Sequence, residues 1–313
     1  MAVPEKYRHL GDFAAYYNGT KRAPVLTVFI GGNHEASNYL HELWCPAKNF
    51  ANFRFYGGWV APNIYYLGAS GCVTYRGLKI AGLSGIYKKW HYHQGFHERL
   101  PYTEDTKRSI YHIRSFDTKK LHFLSSPTIM LSHDWPTNIH KHGDWRELLR
   151  RKPHFRNDME KGELGSQPAE ILLGKLRPQY WFSAHLHVKF SAFIDWGSQS
   201  QEDEGEIELQ DSDEEVAIGD KGKSPKGGKS ETKKENKGDG GNGCGSTRFL
   251  ALDKCLPRRD FMDILDIEND ETSNYSESLA YDAQWLAIVK TFHPYLSTTL
   301  RQNAFPSDED LQK

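Results

Sequence analysis

Three short stretches of this chain carry side chains able to bind a metal ion or move a proton. Gly31-Gly32-Asn33-His34-Glu35 offers an amide oxygen beside an imidazole; Ser132-His133-Asp134 offers an imidazole and a carboxylate; His185-Leu186-His187 offers two imidazoles. Each follows an apolar run, Val25–Ile30, Thr128–Leu131 and Tyr180–Ala184 respectively. Such runs read as buried strands, and the glycine pair lets the backbone turn sharply and come close to a ligand. In an α/β sheet the strand ends share a rim, where ligands gather. Imidazole plus amide oxygen suits Mn, Fe or Zn better than Ca or a thiolate-bound metal. The plainer alternative makes each histidine a structural hydrogen-bonder; its weakness is that all of them stand at the ends of apolar runs.

The elements that must position these residues are legible in outline. Cys72–Tyr75 and Leu78–Gly82 read as a hairpin closed by Arg76-Gly77. A polar, aromatic, His-rich loop follows from Ser84 to about His112, mixing Lys88, Lys89, Arg99, Lys107, Arg108 and Arg114 with Tyr87, Trp90, Tyr92, Tyr102 and Tyr111. Cations meet phosphates and rings meet bases, so this mixture suits single-stranded or branched RNA; a solvated loop with incidental aromatics has the same composition. His91, His93 and His97 in this loop read only weakly as an extra metal cluster. Trp145–Leu149 and the stretch opening at Pro168 read as helices, with Gly165-Ser166 as a cap or, less simply, a phosphate contact. Val188–Phe193 and Phe249–Leu252 read as strands flanking a low-complexity insert at 197–246. That insert holds an acidic block, a Lys/Gly/Ser block and a Gly-rich end, and is expected to be disordered. The acidic and basic blocks neutralise one another; a nuclear address or RNA tether is the second reading. Arg258–Ile267 reads as a strand, Tyr281, Trp285, Ile288 and Val289 as one helix face, and everything from Ser297 as a polar end without a packed element.

At 313 residues the chain can bury a substantial core, and 40 basic against 41 acidic residues leave no overall charge to draw nucleic acid, so any such affinity is local. The four cysteines are scattered and form no C-x-x-C pair, which fits a reduced compartment. No apolar run is long enough for a membrane span and Met1–Lys6 has no signal-peptide core, giving a soluble, intracellular expectation with no membrane partner.

Gly-Asn-His-Glu, then a strand-end His, then His-x-His resembles the latter part of the metal-binding pattern of the calcineurin-like metallophosphoesterases. The longer strings Ala23–Thr27, Tyr56–Gly68, Leu131–Pro136 and Phe182–Val188 resemble the RNA lariat-debranching family within them. The resemblance implies an α/β fold, a β-sandwich flanked by helices (α-β-β-α layers). It divides the chain into a phosphoesterase domain at 1–196 with a lariat recognition loop at about 84–114, a returning strand at 247–256, and a small C-terminal domain at 257–313, which could be shortened. It implies hydrolysis of the 2′,5′-phosphodiester of branched intron RNA in the nucleus, with the cytoplasm as a further location. By motif, Asn33, His133 and His185 would hold one metal, His187 would contribute to a second, and His34 would be the general acid. Ser84, Tyr87, Lys88, Tyr102 and Arg108 would meet the RNA. The metals implied are divalent, Fe2+, Zn2+ or Mn2+, in a two-metal site.

The family pattern opens with a strand-end Asp-x-His or Cys-x-His and then a Gly-Asp whose carboxylate bridges the metals. Here the only early Gly-Asp, Gly11-Asp12, follows Tyr7-Arg8-His9-Leu10 and no apolar strand. Asp12 is therefore not taken as the bridge, the N-terminal βαβ region is expected to be missing, and the polypeptide is expected to be inactive or misfolded. The stretch at 44–55 interrupts the family text and reads as retained intron or a loop insertion. A different metallophosphoesterase, either a phosphatase or a linear-RNA nuclease, and a non-catalytic RNA-binding remnant are the competing readings. Oligomeric state is not legible.

Overall fold

The computed structural model describes residues 5–44, 57–197, 244–268 and 277–311. Among the described residues the strands are β1 (Thr27–Phe29), β2 (Gly58–Ala61), β3 (Ile64–Tyr66), β4 (Ser70–Tyr75), β5 (Leu78–Leu83), β6 (Ile129–Ser132), β7 (Tyr180–Ser183), β8 (Phe190–Asp195), β9 (Ser246–Ala251) and β10 (Ala280–Tyr281). They make a three-stranded sheet, β1-β3-β2, and a seven-stranded sheet, β10-β4-β5-β6-β7-β9-β8. The parallel centre of the large sheet, β5-β6-β7-β9, is built from the runs that read as continuously apolar, as strands covered on both faces do.

Register decides the rim. Leu83 pairs with Ser132 and Leu131 with Phe182, so Ser84, His133 and Ala184-His185 leave the sheet side by side. The small sheet brings its own end to the same place, because Gly31 N–H donates to Ser84 Oγ (3.0 Å) and Gly85 N–H to the Gly31 carbonyl (2.8 Å). Tyr65, Leu67 and Val73, with Val28, Ile30, Ile80 and Leu131 against them, fill the space between the two sheets. The other face of the large sheet carries the main core, with Trp135, Trp181, Trp285 and Phe249 fully buried. Helices Ser115–His122, Gln167–Leu176 and Ala283–Phe292 cover it. The result is two sheets and helices in a mixed α/β layout, as the resemblance implies.

The β4–β5 hairpin closes through Arg76 (φ 47°) and Gly77 (φ 78°), two consecutive left-handed residues that match the twist of the strands they join. Ser166 caps the helix Gln167–Leu176 by accepting from Ala169 N–H, so the simple cap is the role seen.

Three readings are corrected. Arg258–Ile267 is not a strand: Arg258 (φ 62°) and Arg259 lie in a turn and the rest joins neither sheet, its apolar members Met262 and Ile264 are 68% and 84% exposed, and Lys189–Asp263 (2.9 Å) is an ion pair rather than a ladder. Tyr281 lies in β10, before the helix, because Asp282 caps the helix by accepting from Trp285 N–H. The chain after Ser297 is packed: Ser297 is 3% exposed and Phe305 stacks on Phe116. The insert from 198 to 243 and the interruption from 45 to 55 lie outside the described residues. Cys72, Cys244 and Cys255 are free thiols.

Candidate metal centre

Asn33 Oδ1 stands 3.0 Å from His133 Nε2, and the ring of His133 is 4.9 Å from that of His185, centre to centre. Three strand ends, β1, β6 and β7, thus deliver an amide oxygen and two imidazoles to one spot. Each arrival has a local cause. Gly32 is the only residue type that fits beside His133, since a Cβ there would meet the imidazole at 2.3 Å. Glu35 turns the loop: Oε2 accepts from Gly32 N–H (2.6 Å) and His34 N–H (3.3 Å), which leaves the Asn33 and His34 side chains pointing away. His185 (φ 53°) and His187 (φ 54°) both adopt the left-handed conformation, costly for a side chain bearing a Cβ and typical of functional strand ends.

Behind the imidazoles lies a dry polar clamp. Ser132 Oγ bonds Ser183 Oγ (2.8 Å) and donates to the Asp134 carbonyl (2.6 Å), while Trp181 Nε1 donates to Ser132 Oγ (2.8 Å). Trp135 Nε1 donates to the Ala184 carbonyl (2.7 Å), tying the residue after His133's neighbour to the residue before His185. The buried Asp134 carboxylate accepts from Trp135 N–H (3.1 Å) and Tyr87 N–H (3.2 Å), which fastens the start of the 84–114 loop to the same strand end. None of these roles was assigned from sequence; the serines one residue before His133 and two before His185 were the available signal.

The imidazoles are neutral. Burial, followed by the neighbouring imidazoles of His185, His34 and His187, pushes His133 down to about 3. His185 and His187 are lowered too, first by burial. Burial raises Asp134 to about 6, against the pull of its two backbone donors. Among the described residues no three His, Cys, Asp or Glu side chains stand together as ligands, so the centre needs the Asn33 amide, and His187 does not join His133 and His185 around one ion. Asp12 is far from use: it makes an exposed ion pair with Lys21 (3.3 Å). The donors present, one amide oxygen and two neutral imidazoles, fit a single divalent cation of borderline softness.

Of the expected RNA contacts, Lys88 and Arg108 are exposed and Tyr87 and Tyr102 half-buried. Ser84 is different: its hydroxyl donates to the Gly68 carbonyl (2.6 Å) and accepts from Gly31 N–H, a tie between the sheets rather than a free contact. Within the loop, Arg114 and Tyr92 are buried as well, Arg114 against Glu98 and Tyr92 against Thr118 (2.6 Å). The loop is therefore a packed unit with an exposed basic and aromatic face, not a solvated tether.

Residues 245–313 match the family described as lariat debranching enzyme, C-terminal domain. The lariat debranching enzyme of Schizosaccharomyces pombe is 41% identical over 346 residues, covering 97% of this chain and 71% of that protein. The chain belongs to the lariat debranching enzyme family. Those of Gallus gallus and Homo sapiens are 45% and 44% identical over 312 residues, each covering 99% of this chain and 48% of the relative. The chain thus spans about half the length of these vertebrate lariat debranching enzymes. The long strings at Leu131–Pro136 and Phe182–Val188, which carried the family resemblance, include Ser132, Ser183, Trp135 and the histidines of the clamp and centre.

Proposed function

We propose that Asn33, His133 and His185 hold a divalent metal ion, Mn2+, Fe2+ or Zn2+, and that the centre hydrolyses the 2′,5′-phosphodiester of branched intron RNA. The observation that carries this is the meeting of three strand ends on one amide oxygen and two neutral imidazoles, in a chain 41–45% identical to lariat debranching enzymes. When bound, the cation supplies Lewis-acid polarisation of the phosphate and activation of water. His34, exposed at the mouth of the centre, protonates the departing 2′ oxygen. His187, on the third loop, supports the phosphate side of the centre and is the ligand left for a second metal. Lys88, with Lys89 and Tyr87, shares a groove of about 480 Å3 with His185 and lies where an RNA phosphate enters. Tyr102 and Arg108 extend that face, with Arg108 meeting a phosphate and Tyr102 offering a stacking surface.

The same geometry sets a limit on rate. Glu35 and Asp134, the nearest carboxylates in sequence, are spent on backbone amides, so the metal is held by neutral donors alone. Losing even an outer partner of a metal ligand costs about 10–100-fold, and lacking a charged ligand costs more, so turnover is slow and metal affinity modest. The reading puts the chain in the nucleus, where introns are excised. Its test is metal-dependent cleavage of a synthetic branched RNA, set against linear RNA and a phosphopeptide. Cleavage confined to the 2′,5′ linkage supports it; preference for either alternative substrate returns the chain to a general phosphoesterase.

A further inference from the structure

The recognition loop leaves the large sheet at Ile86, and its two arms are joined there: Ile113 N–H donates to the Ile86 carbonyl (3.0 Å), and Ile86 N–H to the Tyr111 carbonyl (3.3 Å). Inside, Arg114 is fully buried against Glu98 and donates to the His91 carbonyl (2.6 Å) and the Ser109 carbonyl (3.0 Å). The far end of the loop is held by something else. Gly95 N–H donates to the Leu300 carbonyl (3.0 Å), Phe96 N–H to the Ser297 carbonyl (2.8 Å), and Gln94 bridges Arg301 in antiparallel register. Arg99 adds a bond to the Thr298 carbonyl (3.3 Å). The turn that receives them is fixed from within, Ser297 Oγ donating to the Arg301 carbonyl (2.6 Å) and bonding Thr299 Oγ1 (3.0 Å). The fit is tight: a Cβ on Gly95 would stand 2.4 Å from the backbone oxygen of Thr299.

We infer that the Ser297–Arg301 turn of the C-terminal domain is a positioning brace for RNA, gripping Gln94–Phe96 so that the loop holds Lys88, Lys89 and Trp90 in place beside the metal centre. Lys88 and Lys89 line the groove that reaches His185, and Trp90, 78% exposed on the four-residue helix Lys89–Tyr92, is a bare stacking face just before the gripped residues. Without the grip, the arm from Lys88 to Phe96 keeps its inner ties, at Ile86, to Arg114 and through His91–His112 and Tyr92–Thr118, but loses its far anchor, and ordering that end on RNA then costs affinity. The inference rests on the proposed contact of this loop with RNA, and the experiment separates the two.

Hydrogen exchange of the wild-type chain and Gly95→Ala is compared, together with their affinity for a synthetic branched RNA in EDTA and their affinity for Mn2+. The expected result in Gly95→Ala is exchange about tenfold or more faster across residues 88–97, where two backbone bonds are lost. Branched RNA binds about tenfold more weakly, with Mn2+ affinity and exchange in β5, β6 and β7 unchanged. A second variant, Gln94→Cys/Arg301→Cys, locks the same pair by a disulfide; once oxidised it keeps wild-type RNA affinity or better. Unchanged exchange in Gly95→Ala overturns the brace, as does loss of RNA binding in the oxidised double variant. Failure of the wild-type chain itself to bind branched RNA overturns the RNA role of the loop, while the exchange result still decides whether the turn holds it.

Discussion

The Asn33 amide oxygen and the His133 Nε2 lie 3.0 Å apart although 100 positions separate them in the chain. Both groups are polar, partly buried and neutral, and each is brought there by a different sheet. In the proposed centre both would hold the same cation. Removing one donor therefore weakens the cation's hold without unfolding either sheet. His133→Ala and Asn33→Ala are each expected to lower Mn2+ affinity by about 10–100-fold or more, read by titration, with thermal midpoints little changed. Unaltered Mn2+ affinity in both variants removes these residues from the centre.

Gly32 makes the same point from the backbone side. A methyl group at this position would occupy the space of the His133 ring, 2.3 Å away, and the flexible ring is the part that yields. Gly32→Ala should therefore behave like loss of His133, with Mn2+ affinity falling and the free energy of unfolding changing by less than about 1 kcal/mol. A crystal structure of the variant should show His133 in another rotamer.

The clamp behind the imidazoles is a stability element as well as a positioning one. Trp135 is fully buried, stacks on Phe190 at 5.3 Å and donates to the Ala184 carbonyl. Trp135→Phe leaves that carbonyl with Leu186 N–H (2.6 Å) as its remaining donor and opens space beside it, at a cost of about 1–3 kcal/mol in urea unfolding. A smaller loss with intact metal binding would mean that the bond does not orient His185.

How much of this was open to a reader of the sequence follows from the range of each interaction. The runs ending at Ile30, Leu131 and Ala184 announce strands because β-branched and aromatic residues cluster there, and Arg76-Gly77 announces its hairpin through the left-handed turn it needs. Parallel register, which puts Ser84, His133 and His185 on one rim, is a long-range outcome and is written in no local pattern. Arg258–Ile267 has the composition of a strand, yet it opens on a left-handed turn at Arg258 and is tied beside β8 by the Lys189–Asp263 ion pair rather than by a backbone ladder. Ser84 was set against the RNA by the family resemblance; in the fold its hydroxyl is taken up in joining two sheets. Asp134 and Gly95 act through backbone amides and carbonyls, for which side-chain chemistry gives no warning.

Acid should weaken the fold. Burial holds His41 and His122 down to about 4 and His112 to about 3, whereas the unfolded chain protonates histidine near pH 6.5. Between those values the unfolded state binds more protons, so stability is full above about pH 6.5 and falls as pH drops toward about 4. Asp134, raised to about 6, works in the opposite sense over part of that window, one group against three. The urea midpoint is expected to drop from pH 7 to pH 5, and His122→Gln to flatten the profile. A midpoint that rises on acidification contradicts these burial effects.

Arg108 is exposed and borne on the short helix Thr106–Ser109 of the recognition loop. As a phosphate contact it contributes one released counterion, so Arg108→Ala should weaken branched-RNA binding and reduce the slope of log affinity against log salt by about 0.7–1. Tyr102→Ala should lower affinity with no change in that slope, because stacking releases no counterion. Identical salt slopes in wild type and Arg108→Ala would place the arginine off the RNA.

The most direct measurement is single-turnover cleavage, with protein in excess and millimolar Mn2+, of a branched RNA whose branch adenosine carries both a 2′,5′ and a 3′,5′ linkage. The centre described here predicts slow cutting at the 2′,5′ linkage alone, abolished by EDTA, by His133→Ala and by His34→Ala. Cutting at the 3′,5′ linkage, cutting that survives EDTA, or no cutting over hours by protein shown to hold Mn2+ would contradict it.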